Sequence, residues 1–161
     1  MDFNFSEDQV AIRELAYQIF TDRATDEFML DFSRSGKTYD DELWQTLAEQ
    51  GLLGIAVPEE AGGTGLGLIE LCLVLEEQGR RVAPIPLYST LVLGGLPIAE
   101  FGTPEQHQRY LAPMATGEAK LSAAIAESAM NAVLADKIKV SAERDGFALV
   151  GKCACLLKLA P

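Results

Sequence analysis

Apolar positions recur at helical spacing over the first two-thirds of the chain and alternate with polar ones beyond it. Ser6-Glu7-Asp8-Gln9 reads as a capping box: Ser6 is placed to accept from the Gln9 N–H, and the Gln9 side chain can reach back. Phe5 and Val10 occupy the two positions of a hydrophobic staple. The helix that follows puts Ile12, Leu15, Ala16, Ile19 and Phe20 on one face, as a helix on the surface of a bundle does. A shorter helix is expected over Asp26 to Phe32, ended by Ser33-Arg34-Ser35-Gly36-Lys37. Tyr39-Asp40-Asp41 starts a third, with carboxylates in its first turn, Leu43, Trp44, Leu47 and Ala48 facing inward, and Gly51 as its stop. Trp44 reads as a core anchor, with stacking on a ligand the lesser alternative.

The stretch Gly51 to Arg81 organises the rest. It begins apolar, breaks into a glycine-rich turn between Gly62 and Gly67, and continues as a helix with Leu68, Ile69, Leu71, Cys72, Leu73, Val74 and Leu75 in nearly every direction around its axis. Such a helix is expected to be buried by other helices and to leave the core at its charged end, Glu76 to Arg81. The glycine turn invites a dinucleotide-binding reading, but the spacing opposes it. The third glycine of that fingerprint would fall at Leu68 or Glu70, no Gly-Lys-Ser/Thr follows, and Glu59 and Glu60 would repel a phosphate.

Pro84 and Pro86 mark the next start, and Leu87, Leu91, Leu93, Leu96, Ile98 and Phe101 predict a well-buried segment. Its Ser89, Thr90, Gly94 and Gly95 are small, so either another helix comes close or a ligand has room. Thr103-Pro104-Glu105-Gln106 starts a further helix with inner positions Tyr110, Leu111 and Met114, closed by Gly117. His107, near its first turn, reads as a solvated side chain. Beyond Glu118 the period changes: Leu121 to Ala126 is short and apolar, Ile138, Val140 and Ala142 alternate with Lys139 and Ser141, Glu143-Arg144-Asp145-Gly146 is a turn, and Phe147 to Leu157 is extended. The fold class expected is mainly α: an up-and-down helical bundle over residues 1–118, followed by the first strands of an antiparallel β-domain over residues 119–161. Three strands cannot bury both faces of a sheet, so the natural polypeptide is expected to continue past Pro161.

Composition narrows the function classes. The 161 residues are 48% hydrophobic and carry a formal charge of −11, which suits a folded domain and disfavours nucleic acid and anionic membrane surfaces as partners. Three cysteines without framework spacing point to a reducing compartment. Cys153 and Cys155 read as packed thiols rather than metal ligands, because further ligands are too few. The acidic N-terminus lacks the regions of a signal peptide, and the longest apolar run, Ile85 to Ala99, is broken by Pro86, Gly94, Gly95 and Pro97. A cytoplasmic protein without a membrane span is expected.

The order of several short stretches resembles the N-terminal region of the acyl-CoA dehydrogenase family. They are Phe5-Ser6-Glu7-Asp8-Gln9, Leu47 to Ile55, Val57-Pro58-Glu59-Glu60-Ala61-Gly62-Gly63-Thr64-Gly65, Leu75-Glu76-Glu77, Gly102-Thr103-Pro104-Glu105-Gln106 with Tyr110-Leu111, and Gly151-Lys152. The resemblance implies an N-terminal helical domain, a middle β-domain and a C-terminal helical domain, of which this chain would cover the first and part of the second. It also implies α,β-dehydrogenation of an acyl-CoA thioester: a carboxylate takes the α-proton and the β-hydrogen leaves as hydride to FAD. The base would lie in the C-terminal domain, so no catalytic residue is assigned here.

Of the family's flavin-facing segments, one aligns with Ala126-Glu127-Ser128-Ala129-Met130-Asn131, which keeps the glutamate but not the threonine, proline and glycine. The other aligns with Cys155-Leu156-Leu157, which lacks the indole and hydroxyl. Main-chain donors at Ala126 and Leu157 remain. The same alignment lines the acyl tunnel from Pro86, Ser89, Thr90 and Leu93, whose small side chains would admit a branched or ring-bearing acyl group. The implied partners are an acyl-CoA substrate, an electron-transferring flavoprotein as acceptor, and subunits of a homo- or hetero-tetramer. The alternative is a non-catalytic structural subunit of a heteromeric acyl-CoA dehydrogenase.

Overall fold

The computed structural model describes residues 4–123 and four two-residue strands, Ala126–Glu127 (β1), Ser141–Ala142 (β2), Leu149–Val150 (β3) and Cys153–Ala154 (β4). Contacts divide the chain into Met1–Leu121 and Ser122–Pro161.

In the first unit the expected capping box opens α1 (Glu7–Arg23): the Gln9 N–H donates to Ser6 Oγ at 3.2 Å and the Ser6 N–H to Gln9 Oε1 at 3.0 Å. Ala16 and Phe20 are fully buried, and Ile12, Leu15 and Ile19 pack beside them. The second helix, α2 (Asp26–Ser35), runs past Phe32 to a left-handed Gly36. Ser33 and Ser35 do not break it, because their hydroxyls donate to the Leu30 and Phe32 carbonyls within the helix. In α3 (Asp41–Glu49), Leu43, Trp44 and Leu47 are buried, and Gly51 follows at φ 73°. Trp44 is a core anchor: it is wholly buried, and its Nε1–H donates to the Gly117 carbonyl at 2.9 Å.

The helix α4 (Leu68–Arg81) departs from expectation. Leu71, Leu73 and Val74 are buried, but Leu68, Ile69 and Cys72 are exposed, whereas Glu77, at the end expected to leave the core, is buried beside Arg80. Its partner on the core side is α1. Gln9 Nε2 donates to Glu70 at 2.8 Å and Arg81 Nε to Thr21 at 3.2 Å, sequence offsets of 61 and 60 residues at opposite ends, so the two helices run parallel. The face toward α1 is covered, and Leu68, Ile69 and Cys72 lie off it.

Beyond α4 the chain enters a wide π segment, Tyr88–Gly95, with a five-residue step in which the Leu96 N–H reaches the Leu91 carbonyl; it continues as α5 (Leu96–Phe101). Leu87 and Leu91 are buried as expected, but Phe101, placed by its spacing in the core, is 84% exposed. The Thr103–Gln106 capping box forms and opens α6 (Pro104–Gln106), a second π segment (His107–Leu111) and α7 (Ala112–Ala115), with Leu111 and Met114 buried. His107 is not simply solvated. It is half-buried with Nε2 2.9 Å from the Ile98 carbonyl, so its Nε2–H donates to the end of α5.

In the second unit β1 pairs antiparallel with β4 and β2 with β3. Ile138, Val140 and the turn Glu143 to Gly146 lie outside the described residues.

One ion pair ties α1 to the start of α3. Arg23 Nε and one Nη meet the two Asp40 carboxylate oxygens at 2.6 and 2.9 Å, and Glu42 adds a contact at 2.7 Å. Asp40 also caps α3, accepting from the Glu42 and Leu43 N–H groups at 3.1 and 3.3 Å. Burial pushes its carboxyl up, but the Arg23 hydrogen bond and the two backbone donors outweigh that and hold it below its ordinary value of 3.8. A carboxyl depressed in the folded state stabilises above the unfolded value, and that contribution disappears as pH falls through the folded value. Urea unfolding from pH 7 down to pH 3 is therefore expected to lose stability below about pH 4. Asp40→Ala should cost about 2 kcal/mol at neutral pH and flatten the acid limb. An unchanged limb would remove Asp40 from this role.

Candidate functional site

The segment predicted to face the substrate is fixed from two sides. Gln78 Nε2 donates to the Ala83 and Ile85 carbonyls at 3.2 and 2.9 Å, and the Asp40 N–H donates to the Pro84 carbonyl at 2.9 Å. Three of its four predicted residues, Pro86, Ser89 and Thr90, are buried, and Leu93 is half-buried. Of the two possibilities for the small residues, close approach of a helix is seen at one of them. At Gly95 a Cβ would lie 2.9 Å from the Met114 methyl, so this glycine serves close approach of α7. Ser89 Oγ donates to the Pro86 carbonyl at 3.0 Å, while Thr90 Oγ1 has no partner.

An open apolar cleft of about 560 Å³ lies on the same unit, between the glycine turn and α5. Ala56, Pro58, Leu66, Leu68, Leu96 and Phe101 are among its lining residues, and none of Pro86, Ser89, Thr90 or Leu93 is. Sequence reasoning missed it because Leu68 and Phe101 were placed in the core by period alone. Period gives a direction around a helix axis, and the neighbours decide which directions are covered.

The glycine turn is committed to its own structure. The N–H groups of Gly62, Gly63, Thr64, Gly65 and Leu66 donate to the carbonyls of Glu59, Pro58, Gly54, Val57 and Ile55, at 2.9 to 3.2 Å. The Gly67 N–H donates to Glu70 Oε2 at 2.9 Å. A phosphate cradle needs free donors, and from Gly62 to Gly67 every one is engaged. The nucleotide-loop reading set aside on spacing fails on hydrogen bonding as well.

The residues aligned with flavin-facing positions belong to the second unit. β1 and β4 set Ala126 opposite Ala154 and Glu127 opposite Cys153. Ser128, Cys155, Leu156 and Leu157 lie outside the described residues. Among the described residues, no group of three or more His, Cys, Asp or Glu side chains is arranged to hold a metal, and no helix is long and apolar enough to cross a membrane.

The first unit is thus all-helical among its described residues, with a fixed, small-residue segment and a glycine turn that is not a nucleotide loop. The family described as "Acyl-CoA dehydrogenase, N-terminal domain" matches residues 6–118. Acyl-CoA dehydrogenase FadE27 of Mycobacterium tuberculosis is 31% identical over 125 residues, covering 78% of this chain and 34% of the relative. Among solved structures, a variant of the Tcur3481-Tcur3483 steroid ACAD superposes with a TM-score of 0.82 at 44% identity, over 92% of this chain and 41% of that one. The ChsE4-ChsE5 complex from Mycobacterium tuberculosis gives a TM-score of 0.81 at 28% identity, over 94% of this chain and 40% of that one. The chain belongs to the acyl-CoA dehydrogenase family, and spans about a third of the length of the curated relative it matches.

Proposed function

We infer that the chain forms the N-terminal helical wall of an acyl-CoA dehydrogenase subunit that removes the α-proton and β-hydride of an acyl-CoA thioester, with a base on polypeptide outside this segment. The match of the family over residues 6–118 carries this reading, because it spans the whole helical unit in order. FAD supplies the hydride acceptor when bound. On this chain Ala126, Glu127 and Ser128, with Cys155, Leu156 and Leu157, would face it, largely through main-chain groups that survive side-chain substitution. The pairing of β1 with β4 supports the reading by carrying the start of one segment beside the strand that leads into the other. It also favours residues 119–161 as the start of a β-domain, with residues 1–118 as the helical one.

Pro86, Ser89, Thr90 and Leu93 would line the acyl tunnel and hold the chain away from water. Their small size favours a branched or ring-bearing acyl group, and a neighbour described as a steroid ACAD supports that preference. The neighbouring ChsE4-ChsE5 complex supports assembly with a second subunit; a homo- or hetero-tetramer with an electron-transferring flavoprotein as acceptor is what the family resemblance implies.

The test is the full-length protein, purified alone and with a co-expressed family partner. A flavin absorbance spectrum that bleaches on adding a ring-bearing acyl-CoA is expected. Protein that stays colourless in both preparations would defeat the flavoenzyme reading. Turnover restricted to short straight chains would defeat the tunnel assignment alone.

A further inference from the structure

The helix α2 is loosely attached to its own unit. None of its residues is buried, only Met29 packs against the core, and no other described element packs along it. Phe28 and Phe32 turn to each other, with ring centroids 5.8 Å apart, and the Arg23 guanidinium covers Phe28 at 4.7 Å. Leu30 stays 53% exposed.

The stripe through Leu30 carries an acid at one end and a base at the other. Glu27 and Arg34 stand at i−3 and i+4 from it, positions that share its side of a helix. They are one heptad apart, about 10 Å along the axis, and among the described residues neither side chain enters an ion pair or hydrogen bond. Acid, leucine, base in that order is its own complement when reversed. Two copies of α2 laid antiparallel across a two-fold axis between Leu30 and Asp31 bring Glu27 of each against Arg34 of the other, set Leu30 beside Leu30, and place Asp26 near Lys37.

A chain with a formal charge of −11 repels its own copy in general. On this stripe the charges cancel on self-pairing, which favours a second copy over an unrelated acidic or basic partner. One like-charge pair is formed, Asp31 with Asp31. A helix about 15 Å long covers less than the roughly 800 Å² per partner of a self-sufficient interface, so the contact adds to an assembly and sets its geometry.

We propose that the exposed stripe of α2 is a homotypic docking surface, paired antiparallel with α2 of a second copy of this chain through Leu30 and crossed Glu27–Arg34 ion pairs. It stands apart from the flavin reading, and its test involves no turnover.

The experiment uses full-length protein, isotope-labelled and unlabelled, mixed at high dilution, reconcentrated and treated with a zero-length carbodiimide cross-linker. Lys37 should join to Asp26 or Glu27 in peptides that carry one labelled and one unlabelled half; within one copy the helix holds these groups about 15 Å apart, out of reach. In sedimentation equilibrium, Glu27→Arg should weaken self-association about tenfold, because the two-fold counts each substitution twice. Glu27→Arg combined with Arg34→Glu should return it to within about threefold of wild type, and Asp31→Asn should strengthen it about threefold. Each variant should melt like wild type at high dilution, since the positions are exposed.

Absence of mixed cross-links in the wild type would overturn the proposal. So would a double reversal as weak as the single one, which is the mark of general surface charge. Leu30→Asp should weaken association at least as much as Glu27→Arg; if it instead lowers the melting temperature equally at every concentration, the stripe is covered by the protein's own chain and the proposal falls.

Discussion

Trp44→Ala is expected to lower the unfolding free energy of the helical unit by about 3–5 kcal/mol, the range for deleting a large aromatic side chain from a core. Trp44 is wholly buried among Phe20, Leu43, Leu47 and Leu53, and the indole N–H also holds the Gly117 carbonyl at 2.9 Å. Truncation leaves a cavity and removes the partner of that carbonyl. Gly117, at φ 81°, is a position where a Cβ would come within 2.9 Å of Ala48, so the backbone there has little freedom to close the gap. In a chain of this size the melting temperature should fall by roughly 10 °C or more. Trp44→Phe separates the two contributions, since it keeps most of the ring volume and loses only the donor; a cost near 1 kcal/mol is expected. A loss under about 1 kcal/mol for the alanine variant would mean that the anchor lies elsewhere.

Gly63→Ala should be nearly as damaging for a different reason. A Cβ at Gly63 would stand 2.1 Å from the Val57 carbonyl oxygen and 2.4 Å from the Val57 Cβ, overlaps that only a backbone shift relieves. That carbonyl accepts from the Gly65 N–H, and the neighbouring Thr64 N–H and hydroxyl hold Gly54 and Ile55, so the shift would break the set of bonds that folds the turn back on residues 54–58. The expected cost is about 3 kcal/mol, at the upper end for forcing extra volume into a packed site. Gly79 is the matched control. It lies in α4, exposed, with nothing within 4 Å of a built Cβ, and Gly79→Ala should stabilise by about 0.5–1 kcal/mol. Opposite signs in the two denaturation curves would confirm that the turn glycine is held by contact. Equal effects would contradict it.

Local signals transferred well from sequence to structure wherever the interaction spans a few residues. Ser6 with Gln9, Thr103 with Gln106, Asp40 ahead of α3 and Gly51 behind it all act as their spacing implies, because each bond closes within one turn. The failures share one cause. Leu68, Ile69, Cys72 and Phe101 are exposed and Glu77 is buried because burial belongs to pairs of elements, and the chain carries no local mark that α4 would lie parallel to α1 with its far side open. His107 shows the same limit: its acceptor, the Ile98 carbonyl, appears only once α5 ends beside the following helix.

The candidate site divides in the same way. The small residues Ser89, Thr90, Gly94 and Gly95 were visible as a group, but not which of them met a helix. Met114 reaches Gly95, whereas Thr90 keeps a hydroxyl without a partner, and both facts depend on three-dimensional neighbours. The glycine turn was excluded as a nucleotide loop by spacing, and its hydrogen bonds supply the physical reason.

The amino-acid order by itself determined where the helices begin, the change of period near Glu118, and the family, because caps and short motifs are properties of neighbours along the chain. Only the tertiary structure decided which apolar positions face a partner, which carbonyls are already occupied, and hence which polar atom is left free. Those depend on contacts between residues far apart in sequence, whose register no local pattern encodes.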